Sequence, residues 1–264
     1  MRPVSKPSEN QLLAALPRAD YERLLPQLEP VPLPEGWHMY RAGDRVTHAY
    51  FVTAGIVSRL GGVESGESAA SAVTGNEGVI GIASFLGGET ASSHAVVLCA
   101  GYAYRIAADL LASEFERAGA LRNLLLRYTL ALAAQTGQVA ACNRFHSLEQ
   151  RLCRWILSCM DRSPSNELAI THGQIAEVLG VRREGVSEVT AKLQTAALVR
   201  CRRGRIAVLD RPGLEARTCE CRAAIRQEYD RLLGTEVAAR DSGARTMRYR
   251  HGSVREEPAF AELT

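Results

Sequence analysis

The chain has 264 residues, 46% of them hydrophobic, so it is long enough for two small domains with separate cores. It has no run of 18 apolar residues and its N-terminus is polar, so we expect no membrane-spanning helix, no signal peptide and a cytoplasmic location. The net charge of +3 is divided unevenly: residues 1–118 hold 9 cations and 13 anions, whereas residues 147–233 hold 15 cations and 11 anions. The C-terminal half is therefore the better partner for a polyanion.

The first part of the chain is predicted to form two short helices and then many short strands. The helices are expected over residues 10–16 and 19–25, separated by Pro17. Between residues 31 and 106, β-rich runs are broken by glycines, a pattern typical of a small roll or barrel. The clearest runs are residues 49–52, 56–60 and 95–100. A helix is predicted to follow them over residues 107–116.

A long helix without proline is predicted over residues 119–143. One of its faces has residues spaced alternately by four and three positions, which is the a/d spacing of a two-stranded coiled coil. We favour a homodimer seam, with Gln135 fixing its register. The alternative is a core helix packed on the β-rich domain, with Leu124, Leu126 and Leu130 as a second apolar face. The predicted seam consists of Leu121, Leu125, Tyr128, Leu132, Gln135, Val139 and Cys142.

Residues 171–196 have the pattern of two short helices joined by a tight turn, which is the layout of a helix-turn-helix. Thr171 and Gln174 form a capping box that opens the first helix, and Gly180 tolerates the left-handed backbone of such a turn. A capping box at Ser147 opens the preceding helix, residues 148–161. The second helix of the pair has an apolar side of valines and a leucine. The residues left to face elsewhere are Arg182, Arg183, Glu184, Ser187, Glu188 and Thr190.

The outward residues of this second helix have the chemistry to read DNA bases. An arginine can hold the O6 and N7 atoms of guanine with two hydrogen bonds, and a glutamate can accept one from the N4 of cytosine. Two short strands are predicted next, at residues 198–199 and 206–209, around an arginine-rich turn. This arrangement predicts a wing that contacts phosphates through Arg202, Arg203 and Arg205. A single further helix is predicted over residues 212–233.

Over roughly residues 20–210, the chain resembles the Crp/Fnr family of bacterial transcription regulators. The resemblance is carried by ITHGQIAEVLGVRREGVSEVTAKL in the helix-turn-helix and by HMYRAGDRVTHAYFVTAGIVSRL in the first strands. It implies an α+β fold, with a cyclic-nucleotide-binding-like β-roll followed by a long dimerisation helix and a winged helix-turn-helix. The corresponding domains are residues 1–118, 119–146 and 147–233.

The resemblance also implies which residues touch DNA. Arg183 and Glu184 occupy the positions of an Arg-Glu pair that contacts bases in the family. Glu188 stands where the family often has a third base-reading arginine. The resemblance therefore predicts the mode of DNA binding but does not specify the operator sequence.

The effector of the β-roll is not expected to be cAMP. Members of the family that bind cyclic nucleotides carry a Gly-Glu pair and an arginine that holds the cyclic phosphate. This chain has no Arg or Lys between Arg59 and Arg105. A cyclic phosphate buried without a cation loses charge-assisted hydrogen bonds worth about 1.5–3 kcal/mol each. The corresponding pocket for an unidentified effector is predicted at Gly81, Ile82, Ser92, Ser93 and His94.

The seven cysteines have irregular spacing and do not form two neighbouring CxxC pairs, so we predict no metal site and no cofactor. Cys219 and Cys221 are the only close pair. We interpret them as helix residues, at least one of them buried, rather than as a redox or metal pair. Residues 234–264 hold 5 cations and 5 anions with little apolar pattern, which predicts a disordered tail.

Together these features predict a homodimeric, sequence-specific DNA-binding transcription regulator. The expected partners are double-stranded DNA and a second copy of the chain, with RNA polymerase as a further candidate and no membrane. An enzyme is not expected, because the chain has no Gly-rich phosphate loop, HExxH or GxSxG motif. Two alternatives stay open: a cyclic-nucleotide-responsive regulator of the same fold, and a sensor that acts mainly through protein contacts.

Overall fold

The computed structural model describes residues 5–62, 68–163 and 165–234, so the predicted tail beyond Gly234 lies outside the described residues. The helices in these ranges are α1 Gln11–Ala14, α2 Arg18–Leu24, α3 Ala108–Glu116, α4 Ala120–Phe145, α5 Leu148–Met160, α6 His172–Leu179, α7 Arg183–Thr195, α8 Arg211–Arg217 and α9 Cys221–Leu233. The strands are β1 Glu29–Leu33, β2 His38–Tyr40, β3 His48–Gly62, β4 Ser68–Thr74, β5 Val79–Ile80, β6 His94–Ala107, β7 Glu167–Ala169, β8 Val199–Arg202 and β9 Arg205–Val208. None of these helices is long and apolar enough to cross a membrane.

The N-terminal strands form one antiparallel sheet in the order β1-β6-β3-β4, with β2 paired to β6 and β5 paired to β3. The predicted runs 49–52 and 56–60 belong to one strand, β3, so the prediction of two separate strands was wrong. Register shifts around Ala54 and Ile56 mark β-bulges, which bend the strand without ending it. The roll closes around an apolar cluster that includes Tyr40, Val52 and Val97.

The C-terminal half contains α5 to α9 and a small antiparallel sheet in the order β7-β9-β8. Its core includes Trp155, Val186 and Leu193, and it is continuous with Ile56 and Leu98 from the roll. The prediction of one helix over residues 212–233 was wrong, because the backbone is extended at Thr218 (φ −80°, ψ 161°) and the chain starts a second helix after it. The break leaves Cys219 between α8 and α9.

A buried ion pair joins the two halves. Arg162, just after α5, donates from Nε to Oε1 of Glu77 at 2.7 Å, and each side chain is only 11% exposed. Glu77 also accepts hydrogen bonds from the backbone N–H of Gly75, and Arg162 donates to the carbonyl of Ser158. Burial is the largest single effect and lowers the pKa of Arg162, but the charge and hydrogen bond of Glu77, together with Tyr229 and Cys159, raise it more in sum, so the net pKa lies above its ordinary value. The Arg162 guanidinium therefore stays charged, and its bond to Glu77 holds the roll against α5.

Candidate nucleic-acid interface

The first helix of the helix-turn-helix is fixed by local hydrogen bonds. The hydroxyl of Thr171 accepts from the N–H of Gln174 at 3.2 Å, and the Gln174 side chain accepts from the N–H of Thr171 at 2.8 Å. The inner face of α6 is buried at Ile175, Ala176, Val178 and Leu179. Gly180 ends the helix in the left-handed conformation (φ 61°), which glycine adopts without steric cost. The capping box and the glycine turn of the sequence analysis are both present.

The second helix, α7, presents its charged start to solvent. Arg182 is its N-cap residue and Arg183 and Glu184 form its first turn, all three with exposed side chains. Within the described part of the chain, neither arginine has a carboxylate within ion-pair distance. Thr190 instead faces inwards, because it is 1% exposed and its hydroxyl donates to the carbonyl of Val186. The base-reading groups predicted at the start of α7 are therefore accessible, whereas Thr190 is a core residue.

Two other predicted contact residues are held by neighbours within the protein. Ser187 is half-buried, with its hydroxyl donating to the carbonyl of Arg183 and lying 3.0 Å from Nδ1 of His172. Glu188 is exposed and pairs with Lys192 at 2.8 Å; the hydrogen bond and charge of Lys192 lower the pKa of Glu188. Glu188 therefore presents an acceptor whose charge is already partly matched by a cation one turn further along the helix.

The wing is a tight hairpin of β8 and β9. Its two turn residues, Arg203 and Gly204, both have positive φ (45° and 76°), which is the requirement of a type I′ hairpin turn. Arg202 and Arg203 are exposed at the tip. Arg205 is exposed as well, but its guanidinium pairs with Glu167 of β7 at 2.8 Å. Two of the three predicted phosphate-contacting arginines are thus left without an ion pair among the described residues.

The predicted homodimer seam on α4 is buried inside the protomer, which corrects that prediction. Leu121, Leu125, Tyr128, Leu132, Gln135, Val139 and Cys142 are all at most 5% exposed. Most of this face packs on the roll and on α9, and Gln135 donates to the carbonyl of Val73 and accepts from the hydroxyl of Tyr229 at 2.9 Å. The heptad spacing is present, but these residues pack within their own chain. This agrees with the alternative prediction of a core helix packed on the β-rich domain.

The opposite face of α4 has a second row at the same spacing. It is exposed and consists of Leu126, Leu130, Ala133, Gly137 and Ala140, with Leu130 53% exposed. Leu124, which the sequence analysis grouped with Leu126 and Leu130, is buried. We call this exposed set the outer row of α4. It is an apolar surface of leucines at one end and small residues at the other.

The residues of the predicted effector pocket differ in burial. Gly81 is buried beside the carbonyl of His48, and Ile82 packs against the cluster that contains α3 and α4. Ser92 is exposed, while Ser93 and His94 are half-buried where β6 begins. A cleft of about 720 Å³ lies between the roll and strands β7 and β9. Its volume falls in the range of small-molecule sites, about 300–1,000 Å³.

One functional candidate in the roll, the half-buried Arg59, was not predicted from sequence. Burial raises the pKa of Tyr40, and this is opposed by the Arg59 guanidinium and by the backbone N–H of Gly81, so these groups meet at the Tyr40 phenol. Arg59 lies on β3, before the segment that was searched for a phosphate-binding arginine. Arg59 and Val57 are two positions apart on β3, so they lie on the same face of the strand. Because Val57 faces the interior of the roll, this spacing was the sequence signal that could have located Arg59.

The structure also gathers residues that the sequence analysis separated. The ligand atoms of Cys142, His146, Cys219 and Cys221 all lie within 4.8 Å of one another. Both members of the close pair, Cys219 and Cys221, are buried, and burial raises the pKa of the Cys219 thiol. We predicted no metal site because the sequence lacks paired CxxC motifs. The fold nevertheless brings together four side chains of types that bind metals.

Two family models match the chain. The cyclic nucleotide-binding domain matches residues 30–118, and the Crp-like helix-turn-helix domain matches residues 150–217. Together they span more than half of the chain. No curated protein sequence matches it.

Three solved structures illustrate the shared fold. A protein from Eubacterium rectale described as a Crp/Fnr family regulator is 19% identical, with a TM-score of 0.62 over 78% of this chain and 96% of its own. FixK2 from Bradyrhizobium japonicum is 16% identical, with a TM-score of 0.61 over 73% and 98%. The c-di-GMP responsive regulator CLP from Xanthomonas campestris is 20% identical, with a TM-score of 0.59 over 74% and 100%.

The α+β fold, with its β-roll, long helix and helix-turn-helix, is that of a DNA-binding transcription regulator. The chain belongs to the Crp/Fnr family of such regulators.

Proposed function

We propose that the protein is a homodimeric, sequence-specific transcription regulator that places α7 in the major groove of DNA. The observation that carries the proposal is the accessible start of α7, where Arg182, Arg183 and Glu184 are exposed in a helix-turn-helix followed by an arginine-tipped wing. Arginine and glutamate at this position read guanine and cytosine, whereas Arg202 and Arg203 contact phosphates. Because such a protein reads chromosomal DNA, it works in the cytoplasm of a bacterium and has no catalytic role.

Two copies pair along the outer row of α4 in this proposal. The row combines a/d spacing with exposed apolar side chains. The same row on a second copy has both the spacing and the apolar surface needed to cover it. A two-fold pair presents two α7 helices to one face of the duplex. They read an inverted repeat whose half-sites are separated by one helical turn, about 34 Å.

The signal enters through the β-roll and is not a cyclic nucleotide. The pocket positions Gly81, Ile82, Ser92 and Ser93 carry no cation themselves, and the nearby Arg59 guanidinium already has the Tyr40 phenol as a partner. Binding in the roll shifts α4 and thereby changes the spacing of the two α7 helices. Calorimetric titration with cAMP and with cGMP tests this point. A dissociation constant in the low micromolar range for either nucleotide would overturn it.

The DNA-binding proposal is tested by selecting bound duplexes from a random library and then measuring the affinity of variants for the selected operator. We expect Arg183→Ala to weaken specific binding by about 1–3 kcal/mol, because it removes a base contact. Arg203→Ala should weaken binding to every sequence and lower the salt slope by about one. The matched control is Arg18→Ala on α2, an exposed arginine of the roll. Unchanged operator affinity in Arg183→Ala would show that the recognition helix is assigned wrongly.

The dimer is tested by sedimentation equilibrium of the full chain. Leu130→Asp puts a charge into the outer row of α4, so we expect a shift from dimer to monomer and loss of operator binding. Leu86→Asp is the control, because Leu86 is an exposed leucine of the roll away from that row. A wild-type monomer, or a Leu130→Asp dimer as stable as the wild type, contradicts this pairing.

A further inference from the structure

We propose that Cys142, His146, Cys219 and Cys221 bind one zinc ion, which ties the end of the long helix α4 to the connection between α8 and α9. The four residues come from two places in the chain. Cys142 and His146 are four positions apart, so they lie on one face at the end of α4, whereas Cys219 precedes α9 and Cys221 opens it. The extended backbone at Thr218 is what turns Cys219 towards α4.

The distances between these side chains fit a tetrahedral zinc site. Zinc lies about 2.3 Å from thiolate sulfur and about 2.0–2.1 Å from imidazole nitrogen, so tetrahedral angles set S···S at about 3.8 Å and S···N at about 3.6 Å. The Sγ atoms of Cys142 and Cys219 are 3.6 Å apart, and Sγ of Cys221 is 3.5 Å from Nδ1 of His146. All four ligand atoms lie within 4.8 Å of one another, which leaves room for one ion and none for an iron-sulfur cluster.

The surroundings of the cluster are those of a metal site. His146 turns Nδ1 towards Cys221, and its other ring nitrogen, Nε2, lies 3.3 Å from a carboxylate oxygen of Glu220. A carboxylate on the far nitrogen fixes the ring orientation and tautomer of a metal-bound histidine. The amide of Gln138 donates to Sγ of Cys221 at 3.1 Å, and such a donor stabilises a thiolate. Three cysteines that only filled an apolar core would need neither the Glu220 carboxylate nor the Gln138 amide beside them.

Zinc is the metal that this donor set selects. Three thiolates and one imidazole form a closed Cys₃His set, which is typical of structural zinc and has no open position for catalysis. The site includes His146, where α4 ends, and so lies next to Ser147, where the C-terminal half begins. A bound ion therefore cross-links the two segments that meet at this junction. This proposal does not depend on the DNA-binding proposal, because its readout is metal content.

The test is elemental analysis of the full chain purified without chelators or affinity metals. We expect about one zinc per chain in the wild type, and cobalt(II) chloride added to the stripped protein should give the visible bands of a tetrahedral cobalt thiolate. Cys219→Ser and His146→Ala should lose the zinc. Cys201→Ser should keep it, because Cys201 lies on β8 outside the cluster. Glu220→Gln should weaken zinc binding about tenfold, the low end of such effects, since that carboxylate is 76% exposed.

Three results would overturn the proposal. The first is wild-type protein without zinc that gains none from zinc chloride. The second is a Cys142–Cys219 disulfide, found by mass spectrometry in protein prepared anaerobically. The third is equal zinc content in the wild type and in folded Cys219→Ser. If the variants fail to fold, the cobalt spectrum of the wild type still decides, because its sulfur charge-transfer bands report thiolate ligands directly.

Discussion

The ion pair between Glu77 and Arg162 makes a quantitative prediction for stability. Both side chains are 11% exposed and their atoms are 2.7 Å apart. Glu77→Ala leaves the Arg162 guanidinium buried without its partner and removes an acceptor for the N–H of Gly75. Breaking a buried pair in this way costs about 3–5 kcal/mol. For a chain of this length, each 1 kcal/mol lowers the melting temperature by about 2–4 °C, so the expected fall is roughly 6–20 °C.

The assay is urea unfolding followed by tryptophan fluorescence, because the two tryptophans report on different halves. Trp37 precedes β2 in the roll and Trp155 is buried in α5. Since the pair joins these halves, we also expect Glu77→Ala to separate their unfolding transitions. The double variant Glu77→Met with Arg162→Met should recover much of the stability, because no charge remains buried.

The control is Glu89→Gln, an exposed carboxylate in the same domain. Surface changes of this kind normally stay within about 0.5 kcal/mol of the wild type. A Glu77→Ala variant that unfolds within that range would refute the reasoning, since it would mean that Arg162 finds another partner or water at little cost.

Three further predictions concern single contacts. Gly180→Ala should destabilise the protein by about 1–2 kcal/mol in urea unfolding, because alanine pays for the left-handed backbone and its Cβ would lie 3.0 Å from Cβ of Ala69. Tyr229→Phe should cost about 1–3 kcal/mol, since the buried Gln135 loses its 2.9 Å donor; the control change Tyr102→Phe, at a half-buried tyrosine, should cost less. Burial raises the pKa of Asp161, but the hydrogen bonds and positive charges of Arg222 and Arg211 together lower it more, so the folded pKa is depressed. Its stabilising effect is therefore complete above the unfolded pKa and is lost as the pH falls through the folded value, and Asp161→Asn should flatten the stability profile below about pH 4.

The helix-turn-helix could be predicted from sequence because its signals are local. The Thr171 capping box, Gly180 and the apolar positions of α7 all act within a few residues of one another, and the structure contains each of them. The two strands around the wing turn were predicted for the same reason. β3 was divided in two because a β-bulge and the end of a strand give the same break in the pattern.

The seam and the cysteine cluster could not be predicted because they depend on distant residues. A heptad row on α4 shows that a face is apolar, but it does not say whether the roll or a second copy covers that face. Both faces of α4 have this spacing, and Leu130 rather than Leu125 is the exposed one. Likewise, Cys142 and Cys219 are 77 positions apart, and no spacing rule links them.

The side chains in the outer row of α4 become smaller along the helix, and this has a geometric consequence for a pair of chains. Leucines at 126 and 130 give way to alanine and glycine at 133, 137 and 140 as the helix approaches the DNA-binding half. In the proposed dimer, two such helices would come closer at the small-residue end than at the leucine end, so their axes would converge towards the DNA. The distance between the two α7 helices of the proposed dimer would then depend on a few methyl groups in this row, and we expect Ala140→Leu to change the half-site spacing that the dimer accepts.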